Sequence, residues 1–292
     1  MLKCLAVWVA LSSFGIAFAA ELELSSGTSL LAQYNAMADR LQKNQFQRPL
    51  YLDSSESKND IRGDIYAVVD YPFSRVSEAL KNPDSWCDML ILHINTKYCY
   101  VSTGKNRTFL MVSVGAKSVK SLKDTYPIEL DYRVATLTTD YLEILLNAEK
   151  GPLSTRDYRI QLRVIPVENG RTFLHLTYSY AFGFTVRIAM RTYLATIGRE
   201  KVGFTLVGGQ PNAQPKYIGG MRGMVERNAM RTYLAIGAFL DALAAPPAMQ
   251  LQKRLHGWFS ATEQYPRQLF EIGRIDYIDM KQGEYLRQQK LF

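Results

Sequence analysis

The chain has 292 residues, 47% of them hydrophobic, with 35 Lys and Arg against 27 Asp and Glu, for a formal charge of +8. That hydrophobic content excludes a disordered chain and supplies a core for one large domain with extensions, or for two small domains. The basic excess is concentrated between Val186 and Arg231, where Arg187, Arg191, Arg199, Lys201, Lys216, Arg222, Arg227 and Arg231 face Glu200 and Glu226, a net +6. On an exported protein such a patch suits anionic headgroups or envelope polymers better than nucleic acid; the plainer reading is a solvated helical face.

Met1, Leu2 and Lys3 make a short positive start, Leu5 to Phe18 is apolar apart from Ser12 and Ser13, and Ala17-Phe18-Ala19 is a small-x-small cleavage pattern. This predicts a signal peptide over 1–19 and a periplasmic or secreted mature protein. The apolar run falls short of the roughly 20 residues that span a bilayer. Cys4 leaves with the signal, so Cys87 and Cys99 are the mature pair. In an oxidising compartment they can close a disulfide around Asp88 to Tyr98, with two unrelated buried thiols as the alternative.

Residues 20–58 read as an N-terminal helical extension: Leu30, Leu31, Tyr34, Met37, Ala38 and Leu41 recur at helical spacing for about four turns. Pro49 to Leu52 reads as a short strand and Asp53 to Asp60 as a loop. In the main domain, 59–246, Asp64 to Asp70 is a strand, Phe73, Val76 and Leu80 lie on one helical face, and Pro83 ends that helix. Strand-like runs follow at Lys97 to Ser102, Thr108 to Val114 and Ile128 to Ala148, the last divided near Thr139-Asp140.

Asp157 to Val167 and Arg171 to Phe182 flank Glu168-Asn169-Gly170, a strong hairpin turn signal. Tyr158, Ile160, Leu162 and Val164 in one arm, with Leu174, Leu176, Tyr178 and Tyr180 in the other, make an apolar face. The alternating residues, His175 among them, make a face expected to be solvated. A helix over Phe184 to Ile197 and a strand over Lys201 to Val207 come next, then a Gly, Pro and Asn loop. Gly219 to Gly223 reads as a helix start with a close contact, and the longest helical pattern runs from about Gly220 to Ala244. The tail, 247–292, reads as helical and charged, with Trp258, Phe259, Tyr265 and Leu269 to dock it. Ala-Met-Arg-Thr-Tyr-Leu-Ala occurs at Ala189 to Ala195 and again at Ala229 to Ala235; with no third copy, a solenoid is not supported.

The stretch Asp64-Ile-Tyr-Ala-Val-Val-Asp-Tyr-Pro-Phe-Ser-Arg-Val-Ser-Glu-Ala-Leu80, with Asn82-Pro-Asp-Ser-Trp86 after it, resembles the opening of the START-like, polyketide-cyclase-like (SRPBCC) superfamily. The resemblance covers roughly Ile61 to Ala244. It implies an α+β helix-grip fold, a curved antiparallel sheet wrapped around a long C-terminal helix, here with extra N- and C-terminal helices. It also implies a cavity between sheet and helix. The hairpin face would line it through Tyr158, Ile160, Leu162, Leu174, Leu176, Tyr178 and Tyr180. The long helix would add Met221, Met224, Val225, Asn228, Thr232, Ile236 and Phe239.

Met and aromatic side chains make an adaptable apolar wall, and Asn228, Thr232 and the tyrosine hydroxyls can orient a polar end. The expected function is an exported binding protein for a hydrophobic small molecule or lipid, touching anionic membrane through Arg187 and Arg191. The alternative for the same stripe is a filled core. His93, His175 and His256 are far apart, no metal-binding spacing and no phosphate-binding loop occurs, and no cofactor is implied. His175 reads as a surface residue, and Glu226 as part of a surface ion-pair row. Two other readings stay open: an exported cyclase-like enzyme using Tyr178, Tyr180, Asn228 or Glu226 as pocket groups, and an envelope-associated interaction protein. No catalytic residue is assigned.

Overall fold

A computed structural model of the chain describes residues 27–117, 121–196, 198–208 and 215–290. The expected signal segment lies outside the described residues, as do Ile197 and most of the Gly208 to Pro215 loop. The N-terminal extension forms two helical pieces, α1 (27–36) and α2 (Ala38–Gln42), broken at Met37. The strand begun at Leu50 runs on as β1 (Leu50–Glu56) and pairs with β2 (Asp60–Val69). Asp53 to Glu56 are therefore strand where a loop was expected. Pairing to Asp64 through Ile61 satisfies their backbone, and Ser54 turns inward.

Helix α3 (Phe73–Leu80) buries Phe73, Val76 and Leu80 as their spacing requires. Pro83 does more than stop it: it opens α4 (Pro83–Leu90), where its missing N–H costs nothing, and Asn82 caps the new helix through Asp84 N at 3.0 Å. Strands β3 (Thr96–Thr103), β4 (Thr108–Val114), β5 (Tyr126–Leu137) and β6 (Leu142–Lys150) follow, then the long hairpin β7 (Thr155–Val167) and β8 (Arg171–Phe182). Among the described residues these make one eight-stranded sheet in the order β1-β2-β8-β7-β6-β5-β4-β3, antiparallel throughout. Register shifts in β3, β5 and β7 bend it. A disulfide joins Cys87 of α4 to Cys99 of β3, with Cα atoms 5.2 Å apart.

After β8 come α5 (Phe184–Ala195) and the long α6 (Gly220–Ala242). Between them, Lys201 to Val207 is not a strand; a single bridge pairs Leu206 with Tyr217. Gly203, Thr205 and Val207 exchange backbone bonds with Lys216 and Ile218, and side chains of α6 meet other groups: Arg227 donates to the carbonyls of Lys201 and Val202, and Glu226 accepts from the N–H groups of Phe204 and Thr205. Glu226 is thus a fully buried acid and not part of a surface row. Gly223 is required here, since a Cβ would lie 2.8 Å from Ile218 O. Gly63 likewise lets α6 lie close on β2, with Val225 O only 3.3 Å from where its Cβ would be.

The sheet packs one side of α6, and the tail packs the other: α7 (Pro247–Glu263), α8 (Pro266–Leu269) and α9 (Arg274–Lys290). Hence α6 is buried nearly all round, and Trp258, Phe259, Leu269 and Tyr277 share one core with the sheet. Helix α9 also guards the edge strand β3: Gln288 accepts from Cys99 N at 3.0 Å, and Arg287 donates to Lys97 O. This is the helix-grip architecture, a curved antiparallel sheet closed on a long C-terminal helix, with further helices at both ends.

The outer face of the sheet is not solvated near its middle. Leu30, Leu41, Val68, Tyr141, Ile165 and Phe173 form a second core there under α1 and α2. His175 is buried in this layer, stacked on Tyr66 and bonded to Asp64 at 2.7 Å and to Arg163. Alternation holds along the hairpin, but what covers its second face comes from residues more than a hundred positions away.

Candidate functional site: a cavity between sheet and long helix

A cavity of about 620 Å³ lies where the sheet curves away from α6. Its apolar wall is built by inward residues of three strands, Val112 of β4, Ile128 and Leu130 of β5, and Ile160 of β7, with Leu90 and Ile94 closing one side. Period-two alternation puts these side chains on one face. Tyr158 and Tyr178 come from the hairpin, and Asn228, Arg231 and Thr232 from α6, spaced three and four apart so that they share one helical face. The rim is formed by Gly115, Ala116, Asp124, Tyr126, Pro152 and Leu153.

The polar groups gather at the α6 end. Thr232 donates to Asn228 O at 3.0 Å, while the Asn228 amide has no hydrogen-bond partner among the described residues. Burial raises the Tyr178 hydroxyl well above its usual range, keeping it neutral. His93 Nε2 is sealed from solvent and unpartnered. Burial, reinforced by the charges of Arg231 and Lys281, pushes His93 down to about 3, so the ring is neutral at physiological pH.

Arg231 is buried and makes one ion pair, to Glu271 at 3.0 Å; Lys201 shares that carboxylate at 2.8 Å. Burial works to raise Glu271, but these two cations more than offset it and hold the acid below its usual range. On its far side Arg231, with Ile94, also lines a second cavity of about 310 Å³ among Trp258, Phe259, Leu269 and Tyr277. The basic segment is therefore partly interior, since Arg227 and Arg231 are both buried.

The expected ligand-facing residues divide. Tyr158, Ile160, Tyr178, Asn228 and Thr232 meet at the cavity. Leu162, Leu174, Leu176 and Ile236 are packed without access where sheet and helix touch, as ordinary core. Tyr180 stacks on Tyr158 at 4.9 Å and packs with Met221, Val225 and Met224 in a separate cluster beneath α5. Sequence reasoning missed His93, Arg231 and the β4 and β5 wall. Arg231 lay in the basic segment and three residues past Asn228, which is the signal that could have found it.

Acid-base chemistry has little to work with in the cavity. Among the described residues the one His–Asp pair, His175 with Asp64, lies on the other side of the sheet under α1 and α2. Among the described residues no group of His, Cys, Asp and Glu could hold a metal ion, and no helix is long and apolar enough to cross a membrane. What the arrangement provides is an apolar container with a cationic, hydrogen-bonding end.

No family model and no curated protein matches this chain. Among solved structures, human StAR-related lipid transfer protein 5 is similar at 7% identity and a TM-score of 0.31, covering 82% of this chain and 98% of its own. A conserved protein of unknown function from Enterococcus faecalis is similar at 8% identity and a TM-score of 0.32, covering 86% and 96%. The sheet order and the long α6 define the fold on their own, and the function rests on the cavity.

Proposed function

We propose that the protein is an exported carrier that holds a hydrophobic small molecule or lipid between the sheet and α6. The observation that carries this reading is the cavity itself: about 620 Å³, walled by Val112, Ile128, Leu130 and Ile160, with its polar groups confined to one end. Export is supported by the signal pattern at 1–19 and by the Cys87–Cys99 disulfide, a bond that persists in oxidising compartments.

The carrier meets anionic membrane with the end of the sheet where the cavity opens. Pairing of Thr155 with Phe182 brings the Pro152-Leu153 rim and the start of α5 to the same end. Exposed apolar side chains crowd there: Leu153 is 79% exposed, Phe184 65% and Ile188 50%. Arg187 and Arg191 lie on the same helix, Arg187 bonded to Lys58 O and Arg191 paired with Glu56 at 2.6 Å. Apolar side chains that enter the interface beside cations are the pattern of a peripheral contact.

Sedimentation with vesicles tests the contact. The mature protein should bind phosphatidylglycerol vesicles at low salt, release them at high salt and ignore phosphatidylcholine; F184S/I188S should weaken binding several-fold. Absence of binding at low salt would sink the membrane contact. The carrier reading itself fails if the protein takes up no apolar probe, such as Nile red.

A further inference from the structure

The α6 end of the cavity carries more positive charge than its own acids neutralise. Lys201 and Arg231 share the single carboxylate of Glu271, and Arg227 stands one turn before Arg231 on α6. Glu226 does not help, because both its oxygens are committed to Ser54, Phe204 and Thr205. Burial, with Arg231 adding to it, holds Arg227 down to about 10. Within the cavity Arg231 is the one cation, and the one acid, Asp124, belongs to the rim with Gly115 and Tyr126. The guanidinium has five donors, and its one hydrogen bond among the described residues goes to Glu271.

Beside it the amide of Asn228, half-buried in the cavity wall, has no hydrogen-bond partner among the described residues. A cation with spare donors and a free amide beside it, at one end of an apolar cavity, describe a receptor for something with several acceptor oxygens. A cation in a water-poor site asks that those oxygens be charged.

Resting on the carrier reading, we infer that the ligand is an amphiphile with an anionic oxygen head, a carboxylate or phosphate, seated on Arg231. The Asn228 amide donates to the same head, and the hydrocarbon lies along Val112, Ile128, Leu130 and Ile160. The anion supplies the charge that Glu271 alone does not. The head is innermost, and the chain points toward the Leu153 rim.

The test is displacement of the neutral probe Nile red near neutral pH by oleate, by oleoyl lysophosphatidate and by uncharged monoolein. At least one acid should compete about tenfold better than monoolein in the unmodified protein, since a charge-assisted bond is stronger than a neutral one. The better acid tells carboxylate from phosphate. R231M should erase the difference, and R231K, which keeps the charge, should retain more of it. The inference is overturned if monoolein matches both acids, a result read on the unmodified protein whether or not the variants fold. It is also overturned if a folded R231M weakens all three competitors alike. If Nile red never binds, the carrier reading fails and the inference with it.

Discussion

Replacing Glu284 by Gln perturbs the cluster that anchors α9 to the cavity wall. Lys97 Nζ lies 2.9 Å and Lys281 Nζ 2.7 Å from the two oxygens of Glu284, and the two lysine side chains are 1% and 0% exposed. At an effective dielectric near 20, each pair attracts by roughly 6 kcal/mol before desolvation is charged against it. Removing one partner from a buried ion set costs about 3–5 kcal/mol. Both ammonium groups keep carbonyl partners, Ile94 O for Lys97, and Thr96 O with His93 O for Lys281, which places the loss near the lower figure. About 3 kcal/mol should lower Tm by roughly 6–12 °C in a chain of this size, measured by circular dichroism. Because Lys281 holds the carbonyls of His93 and Thr96, ligand affinity should fall as well. A Tm within about 2 °C of the unmodified protein would refute the claim that this carboxylate neutralises two buried cations.

The remaining predictions concern pH, the disulfide and the cavity. Burial lowers His93 to about 3, and it lowers His175 against the opposing pull of Asp64. Both rings take up a proton on unfolding once pH falls below about 6.5, so stability should drop by up to about 1.4 kcal/mol per pH unit for each. Urea midpoints between about pH 7 and 5 check this, H93Q should flatten the slope, and a midpoint that is constant or rises on acidification contradicts it. Reduction of Cys87–Cys99, or C87A/C99A, should cost about 3 kcal/mol in urea unfolding. T232F projects a ring into the cavity from α6 and should abolish Nile red uptake with little change in Tm, as should I160W from the sheet.

Much of the sheet was legible because its signals are local. Asn169 and Gly170 take φ of 62° and 65°, so the turn between β7 and β8 follows from residues that tolerate that conformation. The helical stripe Phe73, Val76 and Leu80, and the division of β5 from β6, were local in the same sense. What escaped depended on distant partners. The N–H groups of Phe204 and Thr205 turn to Glu226, so exchange with 216–218 stays at a few bonds and a β-rich composition never became a strand. His175 is buried because α1 and α2 return to cover the sheet, which alternation in β8 cannot reveal.

The site was legible in part for the same reason. Asn228 and Thr232 sit four apart on α6 and Ile160 and Tyr178 pair across a hairpin whose register the turn sets, so their convergence followed from local rules. Leu162, Leu176 and Ile236 share those faces but lie where sheet and helix close on each other, a boundary that curvature sets and spacing does not. His93 reaches the cavity from the segment after α4, held there by the disulfide and by Lys281. No periodic pattern encodes that position.

The most direct test of the cavity as a ligand site is to purify the mature protein from its native compartment without detergent, weigh it by native mass spectrometry, and extract what it carries. The account expects one apolar, anionic molecule per chain, lost in T232F while that variant stays folded. An unmodified protein that is empty as isolated, and that stays empty when offered oleate, lysophosphatidate and monoolein, would contradict it.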